Sequence, residues 1–439
     1  GKRMSLQAWR DEFANKNVVI WGYGREGQAT YRFIRRLLPE QNLTIVESKA
    51  GPSLEKAKAN TIHTSCLCEA DVDLNSFDLI LKSPGIVIPD FIDTYKITGE
   101  AELFIKHYRD HVVGITGTKG KSTTTSLVAA LLKEKYQVCL VGNIGIPCFE
   151  AIDEMEAGAY AALELSCHQL EICRYSPQYA IFLNLYEEHL DHYGTMEKYG
   201  IAKSHIFTNQ MQGDTVIMHE EMSNFIKLSL NTPYLIGRDI TAHGTTLCIP
   251  GHQLDASSAK LIGEHNYRNL AVAYFIANKL GVSDESVIKA IASFRPLAHR
   301  LEDLGEYKEI RFINDSISTI GQSCIQALES IENVDTVLVG GMDRGIEYDE
   351  VEDYLHARKD VQVIFMYATG KRIYSEMEQK GLLRPGLYQV ENLEEAVSLA
   401  KKLTRPHHAC VLSPAASSYD HFKNFEHRGD VFRKLAFEE

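Results

Sequence analysis

Val112 to Thr123 reads V-V-G-I-T-G-T-K-G-K-S-T, an apolar run followed by a loop of glycines and polar residues. The run predicts a buried strand, and the hydroxyls after Lys121 predict the first turn of a helix. In such a unit the loop amides can cradle the phosphates of ATP, a lysine can neutralise charge on them and a hydroxyl can coordinate Mg²⁺. The spacing is Gly-x-x-Gly-Lys-Ser, without the usual four-residue gap between the glycines. The stretch still predicts an ATP-binding loop.

On both sides of this loop, short β-rich runs alternate with helical patterns along almost the whole chain. That alternation is typical of parallel sheets covered by helices. We therefore predict an α/β fold with three domains, at residues 1–110, 111–298 and 299–439. The main strands are expected at 18–21, 43–46, 79–81, 112–116, 138–141, 160–165, 179–184, 311–314, 336–339, 361–366 and 409–413.

The composition limits the classes of function that are open to the chain. Its 439 residues carry 46 basic and 59 acidic side chains, and the formal charge of −13 disfavours a general nucleic-acid or membrane-surface binder. No window approaches the length of a membrane-spanning helix, and we expect no signal peptide. The nine cysteines are scattered and odd in number, so a disulfide framework is not expected, and Cys66-x-Cys68 lacks the further ligands of a zinc site. These features predict a soluble, cytoplasmic protein.

A second glycine cluster, Gly22-x-Gly24-x-x-Gly27, follows the apolar run at 18–21. Its glycines allow a tight turn and let backbone amides approach a phosphate, and Glu47 ends the next predicted strand, as in dinucleotide-binding folds. Taken alone, the cluster fits NAD, another nucleotide ligand or a turn without a ligand. Together with the ATP loop, it fits a kinase or an ATP-dependent ligase.

Several segments, taken in order along the chain, resemble those of the Mur ligase superfamily, and specifically the UDP-N-acetylmuramoyl-L-alanine:D-glutamate ligases (the MurD family). They cover essentially the whole chain and lie at 117–123, 142–145, 164–166, 188–191, 202–203, 265–267, 299–300, 314–316, 340–341, 413–414 and 422–429. The resemblance implies a Rossmann-like UDP-binding domain, a central P-loop ATPase-like domain with a parallel sheet and a small β portion, and a Rossmann-like C-terminal domain. It also implies that the first glycine loop, at residues 22–27, binds the UDP of a sugar nucleotide instead of NAD. The contacts it implies for that substrate are Gly22, Gly24, Gly27, Glu47, Ser83, Pro84, Gly85, Asn143 and Ser166.

The resemblance further implies an amide-bond ligase acting on UDP-N-acetylmuramoyl-L-alanine, ATP and glutamate. ATP would phosphorylate the L-alanyl carboxylate, and the acceptor amine would then displace phosphate. Lys121 would stabilise the migrating phosphoryl group, while Ser122 and Glu164 would hold one Mg²⁺. His189 would help to hold a second Mg²⁺ beside a carbamylated Lys203. The implied ATP contacts are Gly117, Thr118, Lys119, Gly120, Lys121, Ser122, Thr123, Asn269, Arg300 and Asp315.

For three of these residues, the sequence alone also suggests an interpretation. Glu164 ends a buried-looking strand, where a carboxylate without a cation would be costly, so a metal role is favoured. His189 stands among acidic residues and also fits a solvated loop. Lys203 lies in a predicted helix and would be an ordinary surface lysine without the resemblance.

The acceptor site departs from the family pattern at one position. Ile317 stands where the family has a lysine that pairs with a glutamate carboxylate, and an apolar side chain cannot replace that charge. Arg344 can bind such a carboxylate with two hydrogen bonds, and Thr319, Ser418 and Phe425 match the remaining family contacts. We expect D-glutamate as the acceptor, with L-glutamate or another amino acid as the alternative.

Other classes predict different features. Ligases that add diaminopimelate or lysine would show an Asp-Asn-Pro acceptor motif, and folylpolyglutamate synthases lack a UDP-binding first domain. An NAD-dependent dehydrogenase leaves the ATP loop unexplained, and a non-catalytic ATP-binding module leaves the catalytic set without a role. Without a heptad seam or a long apolar edge in the sequence, we expect a monomer.

Overall fold

The structure, a computed structural model, describes residues 2–185, 196–259, 261, 264–295 and 298–439. It divides into two compact units, residues 1–296 and 297–439. The first unit contains two parallel sheets and a small antiparallel one, and the second contains a single mixed sheet. Of the helices in the described ranges, none is both long and apolar enough to cross a membrane.

Five parallel strands form the first sheet, in the order β3-β2-β1-β4-β5. Its central strand is the buried run V-V-I-W, whose apolar β-branched residues favour a strand covered on both faces. The strands are β1 Val18–Trp21, β2 Leu43–Glu47, β3 Thr64–Cys68, β4 Leu79–Lys82 and β5 Ile97–Thr98. The helices are α1 Lys2–Phe13, α2 Arg25–Leu37, α3 Pro52–Lys58 and α4 Glu100–Tyr108.

The second sheet has six parallel strands in the order β11-β10-β9-β6-β8-β7. They are β6 Val112–Thr116, β7 Val138–Gly142, β8 Tyr160–Glu164, β9 Tyr179–Phe182, β10 Thr215–His219 and β11 Tyr234–Ile236. Because β6 lies between β8 and β9, the loops after these three strands meet at one edge of the sheet. A binding site is expected at that edge of a parallel sheet.

The first unit contains further helices and a small third sheet. Its helices are α5 Lys121–Leu132, α6 Ile152–Glu156, α7 Cys167–Leu170, α8 Met196–Thr208, α9 Ser223–Ile226, α10 Glu264–Lys279 and α11 Asp284–Ser293. Three antiparallel strands, β12 Thr241–His243, β13 Thr246–Ile249 and β14 His252–Asp255, form the small third sheet. This sheet confirms the small β portion expected beside the parallel one.

The second unit is built on one sheet in the order β15-β16-β20-β17-β18-β19. Its strands are β15 Glu302–Tyr307, β16 Ile310–Asn314, β17 Val334–Val339, β18 Gln362–Phe365, β19 Leu387–Gln389 and β20 Ala409–Leu412. Only β15 runs antiparallel to its neighbour among the pairs described for this sheet. The helices are α12 Gly321–Ser330, α13 Asp349–Ala357, α14 Tyr367–Gln379, α15 Leu393–Leu403 and α16 Phe425–Ala436. Apolar side chains pack on both faces of the sheet and form its two cores.

The predicted α/β class and parallel sheets are confirmed, and each strand expected from the sequence lies within about two residues of an observed one. Several observed strands were not predicted, and β15 is one of them. Its sequence E-D-L-G-E-Y is acidic and contains glycine, which is typical of a loop, and it forms an edge strand through pairing with β16. The expected boundaries at 110 and 298 fall between sheets, and the division into three domains stays a prediction.

Candidate active site

The predicted ATP loop joins β6 to α5. Residues 117–120 form the loop, and Lys121, Ser122 and Thr123 form the first turn of α5. Gly120 caps this helix with φ of 80°, a left-handed conformation that glycine adopts without the clash of a side chain. The N-terminus of α5 therefore offers the backbone N–H groups of its first turn to an anion, as a phosphate site requires.

Asn184, just after β9, holds the loop in place. Its Oδ1 accepts hydrogen bonds from the backbone N–H groups of Thr118, at 2.8 Å, and Lys119, at 3.0 Å. Its Nδ2 donates to the carbonyl of Lys119 at 2.7 Å. Sequence reasoning missed this residue, although an asparagine directly after a buried strand was a signal that could have found it.

Glu164, at the end of β8, lies beside the first turn of α5. Glu164 is only 2% exposed, and its carboxylate accepts a hydrogen bond of 3.1 Å from the hydroxyl of Ser122. A hydroxyl and a buried carboxylate next to a phosphate loop fit Mg²⁺, which proteins hold through one or two side-chain oxygens together with substrate phosphates. No cluster of three or more histidine, cysteine or acidic side chains suited to a metal was found among the described residues. His189 lies outside the described residues.

Lys203 lies on helix α8 and is buried, with only 1% of its surface exposed. Its ammonium donates to the carbonyl of Gly117 and lies 4.9 Å from the centroid of the Tyr199 ring. The Tyr199 hydroxyl in turn lies 3.2 Å from that of Thr118. Lys203 is therefore directed at the phosphate loop, and the interpretation as a surface lysine is wrong. Its carbamylation stays a prediction.

Asn269, on helix α10, also lies against the loop. Its Nδ2 is 3.0 Å from the position that a Cβ atom on Gly120 would occupy. Helices α10 and α5 pack together along their length, which fixes this side chain beside the phosphate loop. A contact with adenine is a prediction for this residue.

The first glycine loop follows β1 and is tightly packed. A Cβ atom on Gly22 would lie 2.5 Å from the hydroxyl oxygen of Ser83, and one on Gly27 would lie 2.0 Å from the carbonyl oxygen of Gly22. The carboxylate of Glu47 accepts a hydrogen bond of 2.5 Å from the N–H of Tyr23. The structure thus brings the ends of β2 and β4 to the loop. Gly24 lies in the loop and caps α2, and Pro84 and Gly85 continue the chain after β4.

Asn143 and Ser166 follow β7 and β8 in the second sheet. Asn143 lies in the turn formed by residues 142–145, and Ser166 caps helix α7 through a reciprocal pair of hydrogen bonds with Gln169. Both segments contact helix α2 of the first glycine loop: Arg25 donates to the carbonyls of residues 142 and 145, and Gln169 donates to Glu26. The structure therefore brings the predicted substrate contacts of two sheets together, through residues that the sequence analysis missed.

In the second unit, Asp315 follows β16 and lies beside the segment that carries Arg300. Its carboxylate accepts hydrogen bonds from the N–H of Leu301, at 3.1 Å, and the hydroxyl of Ser413, at 2.7 Å. Burial raises the pKa of Asp315 to about 6, and these hydrogen bonds oppose the rise. The two neighbours of Arg300, His299 and Leu301, have φ values of 70° and 46°, which are strained for residues with a side chain.

Arg428, on helix α16, is fully buried beneath the predicted acceptor loops. Its guanidinium donates to the carbonyl of Ser316 at 2.6 Å, to the hydroxyl of Ser316 at 3.0 Å and to the carbonyl of Ala416 at 2.8 Å. The Ser316 hydroxyl donates to the carbonyl of Phe425 at 2.6 Å. Burial lowers the pKa of Arg428 to about 9. This cation therefore ties the loops after β16 and β20 to the last helix.

The predicted acceptor residues lie in or near these loops. Thr319, Ser418 and Phe425 are buried, and Ile317 is half-buried. Arg344 is half-buried, and its guanidinium lies 5.3 Å from the ring centroid of Tyr419. A stacked arginine keeps its in-plane N–H groups oriented for a carboxylate. The binding of glutamate by these residues stays a prediction.

Comparison with known proteins shows which families and structures this chain resembles. Residues 115–277 match the Mur ligase middle domain family. The chain is 31% identical over 441 residues to a UDP-N-acetylmuramoylalanine--D-glutamate ligase of Oenococcus oeni, covering 96% of this chain and 97% of the relative. It is also 31% identical over 451 residues to the ligase of the same name from Bacillus thuringiensis, with the same coverage. Among solved structures, the murein peptide ligase of Psychrobacter arcticus aligns with a TM-score of 0.42 and 14% identity, over 97% of this chain and 99% of that one.

Proposed function

Because this chain belongs to the UDP-N-acetylmuramoylalanine--D-glutamate ligase family of Mur ligases, we propose that it joins D-glutamate to UDP-N-acetylmuramoyl-L-alanine. The reaction consumes ATP, releases ADP and phosphate, and belongs to peptidoglycan precursor synthesis in the cytoplasm. The observation that carries the proposal is the contact of Ser122 with buried Glu164 beside the phosphate loop. We further propose that the enzyme is a monomer.

The chemistry follows from the poor reactivity of a carboxylate. An oxygen of the L-alanyl carboxylate attacks the γ-phosphorus of ATP, ADP leaves, and an acyl phosphate remains. The amine of glutamate then attacks the acyl carbon, phosphate leaves, and the amine loses a proton as the amide forms. Lys121 and the backbone N–H groups at the start of α5 stabilise the charge that develops on the transferred phosphoryl group. Mg²⁺ supplies further neutralisation of the β- and γ-phosphates when Ser122 and Glu164 hold it.

A second Mg²⁺ site is proposed from Lys203 and His189. The support for Lys203 is its burial against the carbonyl of Gly117, which places its nitrogen beside the phosphate loop. The ammonium would first lose a proton, and the neutral amine would then attack the carbon of CO₂, forming an N–C bond while one C=O π bond becomes a C–O⁻ group. Loss of a second proton from the nitrogen leaves a carbamate, so a cation becomes a carboxylate-like ligand.

We also propose roles for three further residues that the family resemblance implies as ATP contacts. Asn269 is proposed to face adenine, Arg300 to contact the phosphates and Asp315 to contact the ribose. The support for Asp315 is its side chain, which already accepts hydrogen bonds at two oxygens and so has a fixed orientation. A ribose hydroxyl would add one more donor to this carboxylate.

The acceptor site is proposed from Arg344, Thr319, Ser418 and Phe425. Arg344 would bind the γ-carboxylate of glutamate with two hydrogen bonds. L-Glutamate is a second candidate acceptor, because Ile317 removes the lysine of the family pattern and the acceptor carboxylate must be bound in a different way. A pocket that has changed its main cation can also have changed its stereochemical preference.

The decisive experiment measures phosphate release with UDP-N-acetylmuramoyl-L-alanine, ATP and Mg²⁺ across a panel of amino acids. Release that depends on D-glutamate supports the proposal, and release that depends on L-glutamate alone supports the second candidate. Nucleotide binding without release for any amino acid would identify a non-catalytic ATP-binding module and would overturn both.

A further inference from the structure

Arg25 and Glu26 are consecutive residues in the first turn of α2, and each forms hydrogen bonds with residues that follow strands of the second sheet. The Arg25 guanidinium donates to the carbonyl of Gly142 at 3.2 Å and also to the carbonyl of Gly145. The Glu26 carboxylate accepts a hydrogen bond of 2.9 Å from the side-chain amide of Gln169. One turn of one helix thus contacts two separate loops of the second sheet.

These two loops carry the two predicted substrate contacts of the second sheet. In the sequence, Asn143 lies between Gly142 and Gly145, the two residues whose carbonyls Arg25 binds. Gln169 accepts from the N–H of Ser166 at 2.9 Å, and its own N–H donates to the Ser166 hydroxyl at 3.2 Å. The positions of Asn143 and Ser166 relative to the first glycine loop therefore depend on Arg25 and Glu26.

Glu26 interacts with other groups of the protein. Burial raises its pKa, and the hydrogen bond from Gln169 opposes this rise. Lys82 is buried nearby, with its ammonium 3.7 Å from a carboxylate oxygen of Glu171. Burial lowers the pKa of Lys82, while the charges of Glu171 and Glu26 raise it. A carboxylate repels a diphosphate, so Glu26 is not suited to bind one directly. Its partners in the protein are the side-chain amide of Gln169 and the positive charges of Arg25 and Lys82.

The turn that Arg25 binds is held rigidly on its other side. Gly142 is paired with Glu164 in the register of β7 and β8, and a Cβ atom on Gly142 would lie 2.3 Å from the Glu164 carbonyl oxygen. Glu164 is also paired with Ile115 of β6, the strand that leads to the phosphate loop. Two sheet pairings therefore fix the ATP side of the turn. On its far side the turn is closed by backbone hydrogen bonds of Gly145 and Ile146, and Arg25 adds the side-chain contact with α2.

We propose that Arg25 and Glu26 are positioning residues for the sugar-nucleotide substrate, which hold Asn143 and Ser166 opposite the first glycine loop without touching the substrate. This inference rests on the proposed function. It makes the sugar-nucleotide site a composite of two sheets, joined by one arginine and one carboxylate. It also predicts that their loss weakens binding of the sugar nucleotide and leaves ATP binding unchanged.

The test uses four variants of the whole chain. Arg25→Lys keeps the charge but loses the two-armed geometry, and Glu26→Ala removes the acceptor of Gln169. Glu26→Gln keeps an acceptor oxygen and removes the charge. Arg36→Ala is the matched control, since it removes another arginine of α2, whose exposed ion pair with Asp153 (3.0 Å) also reaches the second sheet's helices but contacts neither loop.

For Arg25→Lys and Glu26→Ala we expect the KM for UDP-N-acetylmuramoyl-L-alanine to rise about tenfold or more, as the loss of a hydrogen bond to a charged group predicts. The KM for ATP and kcat should change little, Glu26→Gln should recover most of the loss, and Arg36→Ala should match the parent chain. An unchanged KM for the sugar nucleotide, or an equal rise in both KM values, overturns the inference.

Hydrogen exchange in the free protein separates this inference from the proposed function. The amides of Gly145 and Ile146 are bonded within the turn, to the carbonyls of Gly142 and Leu140. Their exchange should be faster in Arg25→Lys and unchanged in Arg36→Ala, whether or not the chain proves to be a ligase. Equal exchange in all variants overturns the positioning role, whereas absent phosphate release in the parent chain overturns only the proposed function.

Discussion

Ser122 donates a hydrogen bond of 3.1 Å to Glu164, which joins the first turn of α5 to the carboxyl end of β8. The hydroxyl follows the lysine of the phosphate loop, and the carboxylate is buried, so the two offer oxygen ligands at the place where ATP phosphates would lie. The pair is therefore the most direct place to test the ligase mechanism.

Glu164→Gln should lower kcat about a hundredfold or more, because it removes the negative charge that we propose holds Mg²⁺ and keeps the size of the side chain. The Mg²⁺ concentration for half-maximal phosphate release should rise at the same time. Glu285→Gln, on the exposed surface of α11, is the control and should behave like the parent chain. An unchanged dependence on Mg²⁺ would argue against a metal role for Glu164.

Lys203→Ala should lose most activity, and added bicarbonate should not restore it, because the amine that CO₂ would modify is gone. Lys198→Ala changes an exposed lysine of the same helix and should remain active. With ¹³C-labelled CO₂, the parent chain and Lys198→Ala should show a carbamate carbon signal that Lys203→Ala lacks. Full activity of Lys203→Ala would exclude the carbamate role.

The stability of the second unit should depend on pH through Asp315. Burial raises the pKa of this carboxyl to about 6, above its value in an unfolded chain, so the folded state retains a proton that the unfolded state has lost. The resulting stabilisation is complete below about pH 4 and is lost as the pH rises through about 6, with a size of about 3 kcal/mol.

Asp315→Asn, which does not titrate, provides the comparison. The free energy of opening of the β16 amides, measured by hydrogen exchange and corrected for the intrinsic pH dependence, should fall with rising pH in the parent chain relative to this variant. Curves that stay parallel from pH 4 to pH 7 would show that Asp315 has an ordinary pKa.

Ile317→Lys should lower the KM for D-glutamate about tenfold, since it returns a cation to the position that the family uses for the acceptor carboxylate. Ile317→Leu keeps the apolar character and should leave the KM unchanged. If the lysine improves neither enantiomer of glutamate, the acceptor carboxylate is bound elsewhere in the pocket.

Gly429→Ala should destabilise the second unit by about 1–3 kcal/mol, because core positions tolerate added atoms poorly. The new Cβ atom would lie 2.1 Å from the Nδ1 atom of His299 and 2.8 Å from the Nδ2 atom of Asn314. Gly51→Ala, with no atom within 4 Å of its Cβ position, is the control for the same substitution. Because His299 precedes Arg300, the KM for ATP should also rise in Gly429→Ala, and an unchanged stability would contradict the packing described.

The sequence predicted best what is encoded locally. The buried run V-V-I-W and the glycines that follow it specify a strand and a turn within ten residues, and the same holds for the phosphate loop at 117–123. The structure confirmed both, and it confirmed the parallel sheets that the alternation of strands and helices predicts.

The residues that the sequence analysis missed act across long stretches of chain. Arg428 binds Ser316, which is 112 residues away, and Arg25 binds Gly142, which is 117 residues away. Helical periodicity does not reveal what a helix packs against, so Lys203 reads as a surface lysine until α8 is placed on the phosphate loop. Long-range partners of this kind become visible only in the folded chain.

Strand β20 comes last in the sequence of the second unit and lies in the middle of its sheet, between β16 and β17. During synthesis, those two strands exist before the one that separates them, so each presents an open edge that can pair wrongly with other chains. Arg428 comes later still, and the loops it binds lack their cation until helix α16 has been synthesised. The part of the second unit that carries the proposed acceptor residues therefore completes its core late in synthesis, and before then it is the stretch of chain in which protection by a chaperone would matter.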